Sequence, residues 1–341
     1  MAKSPSRARA IIDKTLVWDD HAGFAFERAS DLAELERWHA AGIDYVSVNI
    51  GYDAQPWTAA VQGASRYRHY IRAHPDKLVQ AETVADIERA RAEGKLAVGF
   101  DIEGANSLNG DPGMVDVYYR LGVRQLLFAY NRNNLAASGC HDADQGLTDF
   151  GREVLAEMNR VGMLVDGTHC SFRTSMELIE HSASPAIFSH SNRRARCDHE
   201  RNITDEQIKA CAARGGLVGV TGVGLFLGPD GPTARHVVEH VDDLCQMIGA
   251  RHVGIGLDSV LERDGDLEDV LSGADAQARY FWPARQYPND PKRRGFVPPE
   301  ALESIVEGLL AKGHREADIT DILGGNFLRL ARQVWKPVQV A

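Results

Sequence analysis

Short apolar runs alternate with amphipathic segments along almost the whole chain. Eight runs predict strands, at residues 15–19, 44–50, 96–102, 125–130, 162–167, 186–190, 216–221 and 252–257. Several of them are apolar throughout rather than alternating, which is typical of strands buried on both faces of a sheet. Eight strands that alternate with helices predict an α/β protein with a parallel sheet, and this number favours closure into a (β/α)8 barrel of the TIM type.

The segments between the runs have apolar residues three to four positions apart and carry helix-end signals. Thr148 and Thr204 precede two of these segments as N-cap residues, and Gly162 follows the first of them. Asp31 and Gly42 bracket a third segment in the same way. These signals predict helices between the strands, as a barrel requires.

Two regions depart from the alternation. Residues 51–82 insert one or two helices after the second strand, and residues 259–298 form a long segment after the eighth. Long segments of this kind in a compact domain are usually functional. Tyr280, Phe281 and Trp282 in the second region could line a pocket or form a subunit contact, and we favour the contact. With no linker in between, residues 1–341 are predicted to form a single barrel domain.

Composition narrows the classes of partner. The 341 residues are 44% hydrophobic and 25% charged, which is the balance of a soluble globular protein. A net charge of −10 argues against a nucleic-acid partner. No run of about 18 apolar residues predicts a membrane span, and the first residues lack the apolar core of a signal peptide. The five cysteines are scattered. We therefore expect reduced thiols and a cytoplasmic location.

Polar residues stand where five of the predicted strands end: His21, Glu103, His169, His190 and Asp258. The carboxyl ends of barrel strands form one rim, and that rim carries the active site in this fold. Imidazoles and carboxylates are ligands for a hydrolytic zinc ion, which keeps one coordination position for water. A remaining carboxylate can then transfer a proton to the leaving group. The pattern predicts a metal-dependent hydrolase.

Other interpretations of these residues stay open. A single histidine at a strand end is more often a hydrogen-bonded structural residue than a ligand. Asp19, Asp20 and Asp101 could also belong to the rim, although Asp19 or Asp20 could simply cap a turn. Asp101 precedes Glu103 by two positions, so on a regular strand both face inward, with Asp101 one layer deeper.

Several longer stretches resemble the renal (membrane) dipeptidase family of metallopeptidases. They are GLTDFGREVLAEMNRVGMLVDGTH, FSHS and the C-terminal GGNFLRL, and the resemblance extends from WDDHAG to LGGNFLRLARQVW. It implies a (β/α)8 barrel with a binuclear zinc site that cleaves dipeptides, often with a D-residue at the C-terminal position. The chain would be an atypical, bacterial-type member.

The resemblance also implies roles for individual residues. His21 falls on the family's first histidine ligand, and Glu103 on the glutamate that bridges the two ions. His169 and His190 fall on the histidines of the second metal. Asp258 falls on the acid/base aspartate. Arg201, which the residue pattern alone would make a surface charge, falls on the arginine that holds the substrate carboxylate, for which a guanidinium offers two parallel hydrogen bonds.

Two positions differ from the family. Its His-x-Asp motif reads His21-Ala22-Gly23 here, so the aspartate ligand of the first metal is missing. We expect that metal position to be weakened, and Asp20 to be a poor substitute because neighbouring strand residues face opposite sides. Tyr130 stands where the family has a substrate-contacting histidine, and its hydroxyl could still donate one hydrogen bond to the oxyanion.

The sequence therefore predicts a metallopeptidase, a dipeptidase with one or two zinc ions, acting on a small peptide or amide as a homodimer. Two alternatives remain: an amidohydrolase-like enzyme for an amide other than a dipeptide, and a catalytically impaired binding protein on the same scaffold. Metal content per subunit discriminates between the catalytic and the non-catalytic interpretation.

Overall fold

A parallel sheet forms the centre of the protein. The structure, a computed structural model, describes residues 5–23, 32–260 and 276–338. Within these ranges the strands are β1 (Trp18–Gly23), β2 (Tyr45–Tyr52), β3 (Leu78–Gln80), β4 (Leu96–Glu103), β5 (Val123–Leu127), β6 (Leu164–Asp166), β7 (Ile187–Phe188), β8 (Leu217–Val220), β9 (Val253–Ile255) and β10 (Ser259–Val260). Their order is β10-β1-β2-β4-β5-β6-β7-β8-β9, and β3 pairs with β4.

The two ends of the sheet meet, so the strands close into a barrel. The chain leaves β9 and continues directly into β10, which pairs with β1 through Ala22 and Ser259. Between these strands the backbone N–H of Asp258 donates to the His21 carbonyl at 2.9 Å. The N–H of Leu257 donates to the Asp19 carboxylate at 2.8 Å. The predicted (β/α)8 fold class is confirmed.

Helices surround the barrel. They are α1 (Arg7–Lys14), α2 (Glu36–Ala41), α3 (Thr58–Ala73), α4 (Val84–Ala92), α5 (Met114–Arg120), α6 (Asp149–Val161), α7 (Phe172–His181), α8 (Asp205–Ala213), α9 (Gly224–Leu227), α10 (Ala234–Ile248), α11 (Ala276–Phe281), α12 (Leu302–Ala311), α13 (Glu316–Thr320) and α14 (Asn326–Val334). Thr148 and Thr204 cap α6 and α8 as predicted. Gly162 ends α6 in the left-handed conformation, at φ 88°. Asp31, the expected cap before α2, lies outside the described residues.

The prediction was wrong in detail at two places. The first strand begins at Trp18 instead of residue 15 and continues to Gly23, because Thr15 ends α1 by donating its hydroxyl to the Ile11 carbonyl. His21 therefore lies within β1 and not after it. The region 51–82 contains one helix, α3, and the unpredicted strand β3, whose three residues are too few to show a pattern.

Aromatic packing closes the amino-terminal end of the barrel. The rings of Trp18 and Tyr45 lie 3.8 Å apart, and Phe327 of α14 stacks on Trp18 at 5.9 Å. All three residues are almost fully buried. The opposite, carboxyl end is the one at which the predicted polar residues gather. Among the described residues, no helix has the length and apolar character needed to cross a membrane.

Candidate metal centre

Three of the predicted ligands, all histidines, converge on one carboxylate oxygen of the fourth. Glu103 Oε1 lies 3.1 Å from His169 Nε2, 3.4 Å from His190 Nε2 and 3.6 Å from His21 Nε2. Glu103 is the last residue of β4, and the histidines come from β1 and from the segments after β6 and β7. Each of these side chains is buried. The barrel thus brings together residues that are up to 169 positions apart in the sequence.

Each imidazole has its other nitrogen held by a neighbour. His21 Nδ1 lies 3.3 Å from the Asp101 carboxylate, and His190 Nδ1 lies 2.8 Å from the Ser189 hydroxyl. His169 Nδ1 pairs with Asn131 Oδ1 at 2.7 Å. Such partners fix the orientation of metal-binding histidines and leave Nε2 for the ion. Asp101 lies on the inner side of the barrel beneath Glu103, as the strand periodicity predicted, and receives a hydrogen bond from the Ser47 hydroxyl.

The donor set fits a divalent metal ion. The ligand atoms of His21, Glu103 and His190 all lie within 4.8 Å of one another. His21 Nε2 is buried and has no hydrogen-bond partner among the described residues. Nitrogen and carboxylate donors in this number are typical of zinc sites. His21, which the sequence made the doubtful ligand, is as well placed as the others.

Burial and charge set the protonation of the metal-free site. Burial lowers the pKa of His169 and of His190 well below the usual value, so both rings are neutral, as metal ligation requires. Burial also lowers the pKa of His21, but the surrounding carboxylates, first of all Asp101, outweigh it and raise that pKa well above the usual range. Burial raises the pKa of Glu103 to about 8.

The two aspartates before His21 bind groups other than the predicted ligands. Asp19 accepts from the Trp38 indole at 2.9 Å and from the Leu257 N–H, so it ties β1 to α2 and to the end of β9. Asp20 accepts from the Trp18 indole at 2.7 Å, toward the aromatic end of the barrel. Asp20 Oδ2 is buried and has no hydrogen-bond partner among the described residues. That Asp20 does not replace the missing ligand stays a prediction.

Tyr130 lies against the metal ligands beneath an aromatic cover. Its ring stacks on His169 at 4.3 Å, and its hydroxyl accepts from the Trp282 indole at 3.1 Å. Phe281 is buried beside it. Phe281 and Trp282 both pack against a site residue, which supports the alternative that they line a pocket, and the subunit contact stays a prediction. Tyr280 is exposed, with its ring 4.8 Å from the Arg132 guanidinium carbon.

Arg201 is buried at the site and is not a surface charge. Its Nη2 donates to the His190 carbonyl at 3.2 Å, and its Nε has no partner among the described residues. Burial raises the pKa of Asp258, and the charges of His21 and Arg201 oppose that rise. A buried guanidinium with a free N–H is prepared to bind an anion.

Sequence reasoning missed two residues that hold the site together. Asn131 orients His169 and also donates to the Phe281 carbonyl at 3.1 Å. Asp53 follows β2 and accepts from the backbone N–H groups of Asn106 and Tyr130 at 2.9 and 3.1 Å. Asp53 thereby connects the segments after β4 and β5. In the sequence, only its position after the second strand could have indicated that Asp53 belongs to the site.

Solved structures share this fold over nearly the whole chain. An amidohydrolase from Pseudomonas aeruginosa matches with a TM-score of 0.84 and 26% identity, over 96% of this chain and 99% of that one. A metallopeptidase from Rhodobacter sphaeroides, solved with a phosphinate mimic of the dipeptide L-Ala-D-Ala, matches with a TM-score of 0.74 and 19% identity, over 94% of this chain and 100% of that one.

Sequence comparison identifies the family. The dipeptidase verJ of Clonostachys rogersoniana is 33% identical over 59% of this chain and 53% of its own length, so the chain spans about half the length of that relative. The model of the membrane dipeptidases, peptidase family M19, matches residues 31–275. This match covers well over half of the chain and includes four of the five rim residues, and the chain therefore belongs to the membrane dipeptidase family.

Proposed function

We propose that the protein is a metal-dependent dipeptidase that hydrolyses the peptide bond of small dipeptides, including those with a C-terminal D-residue, with one or two zinc ions. The observation that carries this proposal is the convergence of His21, His169 and His190 on Glu103 beside a buried arginine. The family supports a peptide substrate. A homodimer and a cytoplasmic location stay predictions.

The arginine suits a substrate with a free carboxylate. Arg201 is 2% exposed, and its Nε–H has no partner within the described part of the chain. A dipeptide carboxylate would satisfy this donor and compensate the buried charge. A substrate without a carboxylate would leave the guanidinium charge buried and unpaired, which costs free energy. The requirement for a free C-terminus therefore follows from the chemistry of Arg201.

The remaining residues have the properties that peptide hydrolysis requires. Zinc, when bound here, would lower the pKa of a water molecule and polarise the substrate carbonyl. Asp258 would accept a proton from the attacking water and pass it to the leaving amine. Its pKa, raised by burial, brings it closer to neutral pH, where proton transfer in both directions is efficient. The Tyr130 hydroxyl would donate to the carbonyl oxygen as negative charge develops.

A second candidate is hydrolysis of an amide other than a dipeptide bond. It is favoured by Tyr130, which stands where the family carries a histidine that contacts the substrate. Phe281 and Trp282 pack beside it. An aromatic surrounding of this kind accepts a large apolar group. The same metal chemistry would apply, and only the recognised group would differ. A zinc-free protein without any turnover would instead support a binding role.

The test is turnover of a dipeptide panel, with L- and D-residues at the C-terminal position and a C-terminal amide of each. We expect cleavage of free dipeptides and at least about tenfold slower cleavage of the amides, because a hydrogen bond to a charged group contributes about 1.5–3 kcal/mol. Glu103→Gln should abolish turnover, whereas the exposed Glu153→Gln should not. Full activity of Glu103→Gln would refute the proposal, and equal turnover of amides would favour the second candidate.

A further inference from the structure

The carboxylate of Asp258 lies next to the position that glycine occupies in this chain. Gly23 ends β1, and Asp258 follows β9, which the barrel places beside β1. A Cβ atom added to Gly23 would lie 3.0 Å from Asp258 Oδ1. That distance is shorter than an ordinary contact, so a side chain at position 23 would require the carboxylate to shift by a few tenths of an ångström. The glycine thus leaves space that Asp258 occupies.

The same oxygen faces the unpaired nitrogen of His21. Asp258 Oδ1 lies 3.5 Å from His21 Nε2, and Glu103 Oε1 lies 3.6 Å from that nitrogen. His21 Nε2 has no hydrogen-bond partner among the described residues, although it is buried between two carboxylates. Two carboxylate oxygens and one imidazole nitrogen at this separation are a donor set for a divalent cation.

The backbone holds Asp258 in this orientation. Its N–H donates to the carbonyl of His21 at 2.9 Å, which couples it directly to the strand that carries the first ligand. Its φ of 54° is left-handed, a conformation that L-residues other than asparagine and aspartate rarely adopt. Aspartate is one of the few L-residues that adopt this conformation readily, so the turn at position 258 suits the residue that carries it.

We propose that Asp258 supplies through Oδ1 the anionic metal ligand that position 23 lacks, so that His21, Glu103 and Asp258 together hold an ion at the first position. The second oxygen of Asp258 stays available for the proton. This inference rests on the metal dependence of the proposed function. It also replaces the expectation that the first metal position is weakened by Gly23.

The direct test is zinc affinity, measured by competition with a chromophoric chelator, together with the number of ions per subunit by elemental analysis. Loss of a partner that only orients a ligand costs about 10–100-fold in metal affinity, so loss of a ligand should cost at least about 100-fold. We expect Asp258→Asn to show this loss of affinity for one of the zinc ions that each subunit binds. Asp20→Asn, next to His21 but bonded to Trp18, should keep the affinity of the unmodified protein.

A rescue experiment tests the geometry. In an Asp258→Gly protein, which lacks the carboxylate and leaves its space empty, the additional change Gly23→Asp should restore zinc affinity at least about tenfold, because the new carboxylate would enter that space. Gly23 is not in the left-handed region, so its backbone accepts a side chain. Gly23→Asn in the same background is the matched control, with equal size and no charge, and should not rescue.

Each outcome decides a separate point. If the unmodified protein binds no zinc, the metal dependence of the proposed function fails. If it binds zinc and Asp258→Asn binds equally well, only the present inference fails, and rescue by Gly23→Asn would also overturn it. Should Asp258→Asn not fold, Asp258→Glu keeps the charge but moves the oxygen. The visible spectrum of its cobalt-substituted form should then change, and an unchanged spectrum would contradict the inference.

Discussion

Residues other than glycine that have a left-handed backbone conformation cluster at the site. Among the described residues other than glycine, positive φ angles occur at Asn109, Asn131, His169 and Asp258, and the last three lie at the metal centre. The left-handed conformation costs roughly 1–2 kcal/mol for an L-residue. His169 and Asp258 follow short strands at the carboxyl end of the barrel, and this turn of the backbone directs their side chains toward Glu103. The left-handed backbone at these positions is thus part of how the site is oriented.

Asn131 is the residue whose loss should affect the site without removing a ligand. Asn131→Ala removes the acceptor for His169 Nδ1, and we expect zinc affinity to fall by about 10–100-fold. Asn131→Asp keeps an acceptor oxygen and serves as the control, with affinity close to that of the unmodified protein. Chelator competition measures both. If Asn131→Ala binds zinc normally while remaining folded, the orienting role is refuted.

At the scale of elements, the end of α11 and the segment after it complete the site. Phe281 and Trp282 pack against Tyr130, and Tyr287 pairs with Asn131 and His141. The indole N–H of Trp282 can only donate a hydrogen bond. Because it occupies a lone pair of the Tyr130 hydroxyl, the proton of that hydroxyl is free to point elsewhere. In the proposed mechanism, Trp282 would therefore be a positioning residue that leaves the Tyr130 hydroxyl to donate toward the substrate.

Removing this donor tests the arrangement. Trp282→Phe should lower kcat by up to about tenfold with a smaller change in KM, since one neutral hydrogen bond contributes about 0.5–1.5 kcal/mol. In a Tyr130→Phe background the same change should have no further effect on kcat. Steady-state kinetics of the four proteins form a double-mutant cycle. An equal effect of Trp282→Phe in both backgrounds would show that Trp282 acts only through packing.

At the scale of the whole molecule, the metal centre connects distant parts of the barrel. Its side chains come from β1, from β4 and from the segments after β6 and β7. An ion bound by all of them stabilises the folded state but not the unfolded chain. The stabilisation grows with the free metal concentration and reaches about 4 kcal/mol at a thousand times Kd.

Metal removal should therefore lower the Tm. We expect a chelator to decrease the Tm by several degrees and zinc in excess of the chelator to restore it, as followed by circular dichroism. Glu103→Gln is the control, because its ligand set is incomplete and its Tm should respond little to either addition. A Tm that is insensitive to chelator in a zinc-containing protein would show that the ion does not connect these strands.

Much of the architecture was accessible from periodicity. Seven of the eight predicted strands fall within a few residues of observed ones, and the caps Thr148 and Thr204 form as expected. The first strand was misplaced because Asp19, Asp20 and His21 interrupt its apolar run. Asn131 and Asp53 were missed because a polar residue after a strand looks the same whether it orients a ligand or faces solvent.

The sequence by itself determined the fold class, the family resemblance and the identity of the rim residues, because these depend on local patterns and on residue order. It also revealed the missing aspartate at position 23. Only the tertiary structure decided what that absence means. Gly23 and Asp258 are 235 positions apart in the chain, and their contact exists because closure of the barrel places the end of β9 beside β1. The metal position that looked impaired in the sequence has the Asp258 carboxylate as a neighbour in the folded protein.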